Sequence, residues 1–309
     1  MGKERILVIK LGAFGDFLAA SGAMSAIRAH HPQAHIVLLT RKAFAGLGRA
    51  CPFVDEVWVD TGPKLWNVPG WLALRQRLRE GHFSRVYDLQ TSDRTGFYFR
   101  LFRPGPVPEW SGIAKGCSHP HRNPDRDSMH AYESRAEQLR DAGIGVVPAP
   151  DVSWLAADIS GFGIEGDYAV LVPGSSAPNP ERRWPPARFA ALGRKLLAHG
   201  IRPVLVGTAM DRPVLDEVMA ALPGALDLGG KTDVPQLASL TRGARVVVGG
   251  DTGPMHLAAI VGVPAVVLYS HVSNPALTAP KGARVAILRR PRLDQLETDE
   301  VWTQIAEML

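Results

Sequence analysis

ILVIKLGAFGDFLAASGAMSAIRA, residues 6–29, sets an apolar, β-branched run before a glycine-bearing turn and a helix-like segment of small residues. Strand, tight loop and helix in that order open a parallel α/β unit, whose ligands bind at the carboxyl ends of its strands. Glycines in such a loop usually bring backbone amides against a phosphate, yet the stretch Leu11 to Asp16 ends on an acid that would repel one. The spacing also fails for a dinucleotide: Gly12 and Gly15 make G-x-x-G, not G-x-G-x-x-G. After the second strand-like run, HIVLLT (35–40), come Arg41 and Lys42 where an acid would hold a ribose hydroxyl. A nicotinamide-dependent oxidoreductase is disfavoured.

The same grammar continues along the chain. Strand-like runs at 55–60 and 84–90 follow, then a Pro/Gly/His/Arg-rich stretch (103–127) and a helix-like run from Met129 to Ala142. Residues 143–167 are irregular and rich in Gly and Pro, which reads as a linker. The alternation then restarts, with strand-like runs at 168–173, 202–207, 244–250 and 264–269 and a closing helix at TDEVWTQIAEML (298–309). The expected fold class is α/β with two Rossmann-like domains, 1–150 and 151–309, facing each other across a cleft. The closing helix is expected to pack back on the first domain.

Composition narrows the class. The chain has 309 residues, 46% hydrophobic and 21% charged, with no apolar run near the roughly 18 residues of a membrane span. It enters a strand-like run almost at once, without signal-peptide features, and Cys51 and Cys117 have no zinc-type spacing; a reduced, cytoplasmic setting is expected. Residues 1–150 hold 20 Lys and Arg against 14 Asp and Glu, whereas 151–309 hold 15 against 16. Either the first half meets an anionic partner, or the excess is ordinary solubility charge.

The second half carries an anion-binding pattern. VVVGGDTGPMHLAAIVGVPAVVLY (246–269) places GGDTGPMH between a buried strand and a helix that begins at Pro254. Amides at a helix start bind anions, Thr252 adds a hydroxyl donor, and His256 lies one turn inside. Upstream, PGSSAPNPERRWPPARFAAL (173–192) ends a strand with a hydroxyl-rich loop and presents Arg182 and Arg183, which suit a diphosphate leaving group. Singly, Asp251 reads equally well as a helix cap, His256 as a core histidine and the arginines as a solvated helix start.

Taken together, ILVIKLGAFGDFLAASGAMSAIR, YDLQTSDRTG (87–96), PGSS…ERRWPPARFAAL and GGDTGPMHLAAIVGVP resemble glycosyltransferase family 9, the ADP-heptose:lipopolysaccharide heptosyltransferases, in order and rough spacing. The resemblance implies the two-domain GT-B fold, with acceptor in the N-terminal domain and donor in the C-terminal one. It implies an inverting, metal-independent transfer of a heptose or similar sugar from ADP-heptose to a lipopolysaccharide-core glycan. Asp16 then becomes the base that takes the acceptor hydroxyl's proton, which explains an acid in a glycine loop. The same acid could also cap the helix that follows. The glycines Gly12 and Gly15 would let the sugar approach the backbone, with Lys64 and Arg94 as further acceptor contacts. Donor contacts carried over are Ser175, Ser176, Arg182, Arg183, Gly207, Thr208, Asp211, Asp251, Thr252, Gly253, Pro254 and His256. One departure stands out: relatives often carry a ribose-binding acid just after the glycine matching Gly207, and here Asp211 comes two positions late.

No cofactor, metal or nucleic acid is expected. Asp125-Arg126-Asp127 spells the D-x-D of another glycosyltransferase fold without its context, and Cys117, His119 and His121 lack a C-x-x-C partner. The expected partners are the nucleotide-sugar and an anionic glycolipid, met by a cytoplasmic protein at the inner face of the membrane. Two rivals stay open: a non-catalytic nucleotide-sugar or glycan binder, and another GT-B enzyme such as a sugar-nucleotide epimerase.

Overall fold

The computed structural model describes residues 3–174, 181 and 183–309. It divides the chain into two units, Met1–Trp154 and Leu155–Leu309. The first holds six strands: β1 (Arg5–Ile9), β2 (His35–Arg41), β3 (Glu56–Asp60), β4 (Arg85–Asp88), β5 (Glu109–Gly112) and β6 (His119–Pro120). Its helices are α1 (Phe14–Ala19), α2 (Ser21–His30), α3 (Ala45–Ala50), α4 (Val68–Glu80), α5 (Asp93–Leu101) and α6 (Ala131–Asp141). The second holds β7 (Tyr168–Val172), β8 (Arg202–Leu205), β9 (Leu226–Asp227), β10 (Val246–Gly250), β11 (Ala265–Tyr269) and β12 (Val285–Arg289). Among them run α7 (Pro186–Ala198), α8 (Arg212–Ala221), α9 (Val234–Gly243), α10 (Gly253–Val261), α11 (Pro275–Thr278) and α12 (Thr298–Ala306).

The two sheets are topological duplicates. The first runs β3-β2-β1-β4-β5-β6 and the second β12-β11-β10-β7-β8-β9, the same order read from the other edge. Every pairing is parallel. Parallel sheets need helices on both faces, so the central strands read as unbroken apolar runs; β1, β2, β7, β10 and β11 are almost wholly buried. In each unit the strand order reverses between its first and fourth strands, β1 and β4 in one, β7 and β10 in the other. Loops leaving those strands diverge and open a crevice, where such sheets take their ligands.

Four strands escaped the sequence reading. β5 and β6 lie in the Pro/Gly-rich stretch, and β9 has two residues; all three extend the far side of a sheet, where a neighbouring ladder organises a chain too short to show a period. β12 is an edge strand whose residues are half-buried or exposed, so its pattern is weak.

The closing helix α12 belongs to the second unit's own core: Val301 and Ile305 are fully buried there with Leu192, Leu196 and Leu296. Ile305→Ala removes a fully buried side chain and is expected to lower unfolding stability by about 2–5 kcal/mol. Urea denaturation checks this; a change below about 0.5 kcal/mol would make α12 an accessory rather than part of the core.

Candidate functional site

In the first unit the switch point gathers four charges. Lys10 follows β1 directly and is only 2% exposed, and Asp88 ends β4 with no exposure at all. The register that sets Ile9 beside Asp88 fixes their neighbourhood. Asp16 lies in the first turn of α1, and Arg135 reaches it from α6, with Nη2 donating to Asp16 Oδ1 at 3.1 Å. The loops are tied across the switch by Leu11 N, which donates to Gln90 Oε1 at 2.9 Å.

Asp16 does not cap its helix. The N-cap is Ala13, without a side-chain capping bond, and Asp16 sits three positions further on, its side chain 43% exposed and ion-paired to Arg135. The guanidinium is far more buried, and its Nη1 has no hydrogen-bond partner among the described residues. An exposed carboxylate held at one oxygen by a buried cation can accept a proton from a ligand hydroxyl. The two glycines beside it are themselves buried. Gly12 has φ +134°, and a Cβ there would stand 2.4 Å from Phe44 Cε2, so the close approach it permits is that of Phe44.

Burial dominates the two interior charges. Lys10 is lowered from 10.5 to about 7, by desolvation first and then by the Arg135 guanidinium, against the pull of Asp16 and Asp88. Asp88 is pushed from 3.8 up to about 6 by desolvation, although its Oδ1 accepts the Gln90 and Thr91 amides at 3.1 Å each and Lys10 favours its charge. Gln138 on α6 fastens this floor, donating from Nε2 to the Asp88 carbonyl at 3.0 Å.

The other expected acceptor contacts have local employment. Arg94 donates through Nε to Tyr98 Oη at 2.7 Å and through Nη2 to the Pro63 carbonyl at 3.0 Å, while Tyr98 donates to the buried Asp60 at 2.8 Å. It therefore anchors the loop after β3. Lys64, on that loop, is exposed with its ammonium 5.3 Å from the centre of the Trp66 ring.

In the second unit the switch point is built from the ends of β7 and β10. Thr252 is the N-cap of α10 but makes no capping bond to the helix; its hydroxyl donates back to the Gly250 carbonyl at 3.3 Å. Asp251 does not cap either; its Oδ1 accepts from Tyr269 Oη at 3.0 Å. The helix thus begins at Gly253 and Pro254 with no capping bond from the Thr252 side chain; Met255 N donates to the Thr252 carbonyl at 3.1 Å, and His256 follows one turn in, half-buried. The positive end of the helix dipole suits an anion. In the loop after β8, Asp211 Oδ2 accepts both Thr208 N (2.9 Å) and Thr208 Oγ1 (2.8 Å). Its carboxyl fills the space where Gly174 lacks a side chain, 2.4 Å from an ideal Cβ, so the late acid closes the loop onto the end of β7. Ser175, Ser176 and Arg182 lie outside the described residues. Arg183 lines a pocket of about 420 Å³ with Trp184, Pro213, Arg292 and Asp294; neither Asp211 nor the Asp251–His256 segment lines it.

Asp127 of the D-x-D stretch is exposed and paired with its neighbour Arg126 at 3.4 Å. His119 and His121 engage Ser118 (2.9 Å) and Glu137 (3.8 Å), and among the described residues no three His, Cys, Asp or Glu stand together as metal ligands.

The family model for glycosyltransferase family 9 (heptosyltransferase) matches residues 128–302, more than half of the chain. The chain belongs to that family. It is a glycosyltransferase of the GT-B class. Lipopolysaccharide heptosyltransferase 2 of Salmonella typhimurium is 26% identical, the match covering 92% of this chain and 88% of the relative. The structure of E. coli ADP-heptose lps heptosyltransferase II superposes with a TM-score of 0.81 at 21% identity, covering 98% of each chain. E. coli heptosyltransferase WaaC with ADP-2-deoxy-2-fluoro heptose gives 0.76 at 20% identity over 98% of this chain and 99% of that one.

The interior charges make a pH prediction. Folded Asp88 keeps its proton up to about pH 6, while the unfolded chain releases it near 3.8. Between those values the native state binds more protons, so this group's contribution to stability falls as pH rises. Asp88→Asn removes that slope: relative to wild type it gains stability between pH 4 and 6 and the gain levels off above. Denaturant titrations at pH 4, 6 and 8 check it, and a difference independent of pH would show that Asp88 does not titrate in that window.

Proposed function

We propose that this glycosyltransferase moves a heptose from ADP-heptose to a lipopolysaccharide-core acceptor, with inversion at the anomeric carbon. The names of its relatives support the sugar and acceptor class. The observation that carries the mechanism is the contrast between two switch points in duplicate folds. One presents a carboxylate held by a buried arginine; the other presents a helix start that its own N-cap side chain leaves unbonded. Asp16 takes the proton of the acceptor hydroxyl as that oxygen bonds to the anomeric carbon. The bond from that carbon to the diphosphate breaks, and ADP leaves with the electron pair. Gly253, Pro254 and Thr252 at the start of α10, with Asp251 and His256, hold the diphosphate and sugar. Arg182 and Arg183, with Ser175 and Ser176, complete the donor contacts, and Gly207 and Thr208 border them.

On this reading residues 1–150 form the acceptor domain and 151–309 the donor domain. The surplus of basic residues in the first half supports an anionic acceptor. No helix among the described residues is long and apolar enough to cross a membrane. On this reading the lipid-anchored acceptor is met from the cytoplasmic face. Charge neutralisation by arginines and helix amides leaves no step that calls for a metal.

Asp16→Asn should keep ADP affinity within a few-fold and lower kcat by roughly 10² to 10⁴, the range for loss of a general base. Turnover near wild type would remove Asp16 from the chemistry, and ADP binding without sugar transfer by the wild-type chain would favour a binding protein. Full activity in excess EDTA is expected; loss that Mg²⁺ restores would bring a metal into the mechanism.

A further inference from the structure

The loop from β3 into α4 breaks the usual rule for apolar side chains. Leu65 is 87% exposed, Trp66 76%, Val68 59% and Leu72 56%, consecutive or one helical turn apart, with Phe97 of α5 exposed nearby through its contact with Trp71. Single exposed apolar residues need no account, but a contiguous set of this size marks a contact surface. The loop is also firmly built. Asn67 Oδ1 accepts from Gly70 N at 3.0 Å to cap α4, Trp71 Nε1 donates to the Lys64 carbonyl at 3.1 Å, and Arg94 holds Pro63. The four side chains are therefore presented outward by a structured tip.

Charge selects the partner. Residues 61–80 carry Lys64, Arg75, Arg77 and Arg79 against the single acid Glu80. Lys64 stands over the Trp66 ring at the tip itself, while Arg77 stacks over Trp58 at 4.4 Å and Arg75 donates to the Arg103 carbonyl at 3.1 Å further along α4, so the apolar tip continues into a basic helix. Leucine and tryptophan beside lysine and arginine are the composition that settles at the headgroup boundary of a bilayer.

We propose that the Lys64–Leu72 tip docks this enzyme on an anionic phospholipid bilayer, with Leu65, Trp66, Val68 and Leu72 entering the interface and Lys64 and the α4 arginines facing the headgroups. The docking deepens the proposed function, in which the acceptor is lipid-anchored. The two readings fail separately: acceptor-free vesicles test docking alone, and ADP titration tests the donor reading without lipid.

The full chain is floated with vesicles of phosphatidylglycerol and phosphatidylcholine, then with phosphatidylcholine alone. The expected result is co-flotation with the anionic vesicles, at least tenfold weaker on neutral ones or at high salt, where surface charge is screened. Leu65→Ser with Trp66→Ser should weaken flotation at least tenfold at unchanged circular dichroism and ADP affinity, and Leu72→Ser alone should give a smaller loss in the same direction. Wild-type protein that stays with the unbound fraction, or a double variant that floats as well as wild type, overturns the proposal. So does a dimer in sedimentation that the double variant loses, since the tip would then join two copies of the chain.

Discussion

Pairing β1 with β4 in parallel, at the point where the sheet reverses its order, is the constraint on which the first unit's chemistry depends. It sets Ile9 beside Asp88, and with it the next residue, Lys10, at the floor of the crevice, both charges out of water. Neither charge would survive there alone, since burial costs several kcal/mol per ion. Each shifts toward neutrality and each is held back by the other; Asp16 also favours the charge on Lys10, while Arg135 opposes it. The exposed carboxylate is thus the outer member of a set whose inner members are fixed by sheet geometry. A change at the floor would be felt at Asp16 without touching it.

The second unit solves the same topology with the opposite sign. Its switch strands end in glycines and hydroxyls, and the electrostatic work falls to the peptide dipoles of α10. On the proposed reading, a nearly neutral half of the chain suits a diphosphate because backbone dipole adds to the charge of Arg182 and Arg183. The Thr252 hydroxyl bonds the Gly250 carbonyl instead of the helix, and Asp251 Oδ1 accepts from Tyr269. A side-chain oxygen on the first amides would satisfy them and compete with the ligand.

Much of this was legible in the sequence because it is local. A central parallel strand is buried on both faces and writes itself as an apolar run, and the loops at Leu11–Asp16 and Asp251–His256 sit directly between such runs and their helices. The outer strands β5, β6, β9 and β12, all but β5 at an edge, exist because a neighbour offers a ladder, and nothing in two to five residues records that neighbour. The site was missed in the same way. Arg135 stands 119 residues from Asp16 and meets it only through the fold, while Lys10 looks like the solvated end of a strand. Asp88 lay inside a segment that marked the family, but its burial belongs to three dimensions. α9 is a different case: Asp233 and Gln236 form a capping box that announces the helix, and the signal was overlooked.

Where the sequence reading assigned ligand contacts, the structure often supplies a local occupation. Arg94 clamps a loop, Asp211 seals one, and Gly12 makes room for Phe44. These residue types recur at such positions for two reasons that motifs cannot separate, because the atoms that shape a binding loop stand within a few ångströms of those that bind. Occupied donors still matter to the ligand, through the loop they hold. Arg94 illustrates this: by fixing Pro63 it sets the origin of the tip bearing Leu65 and Trp66. Its loss would act on that tip's direction while leaving every exposed side chain in place.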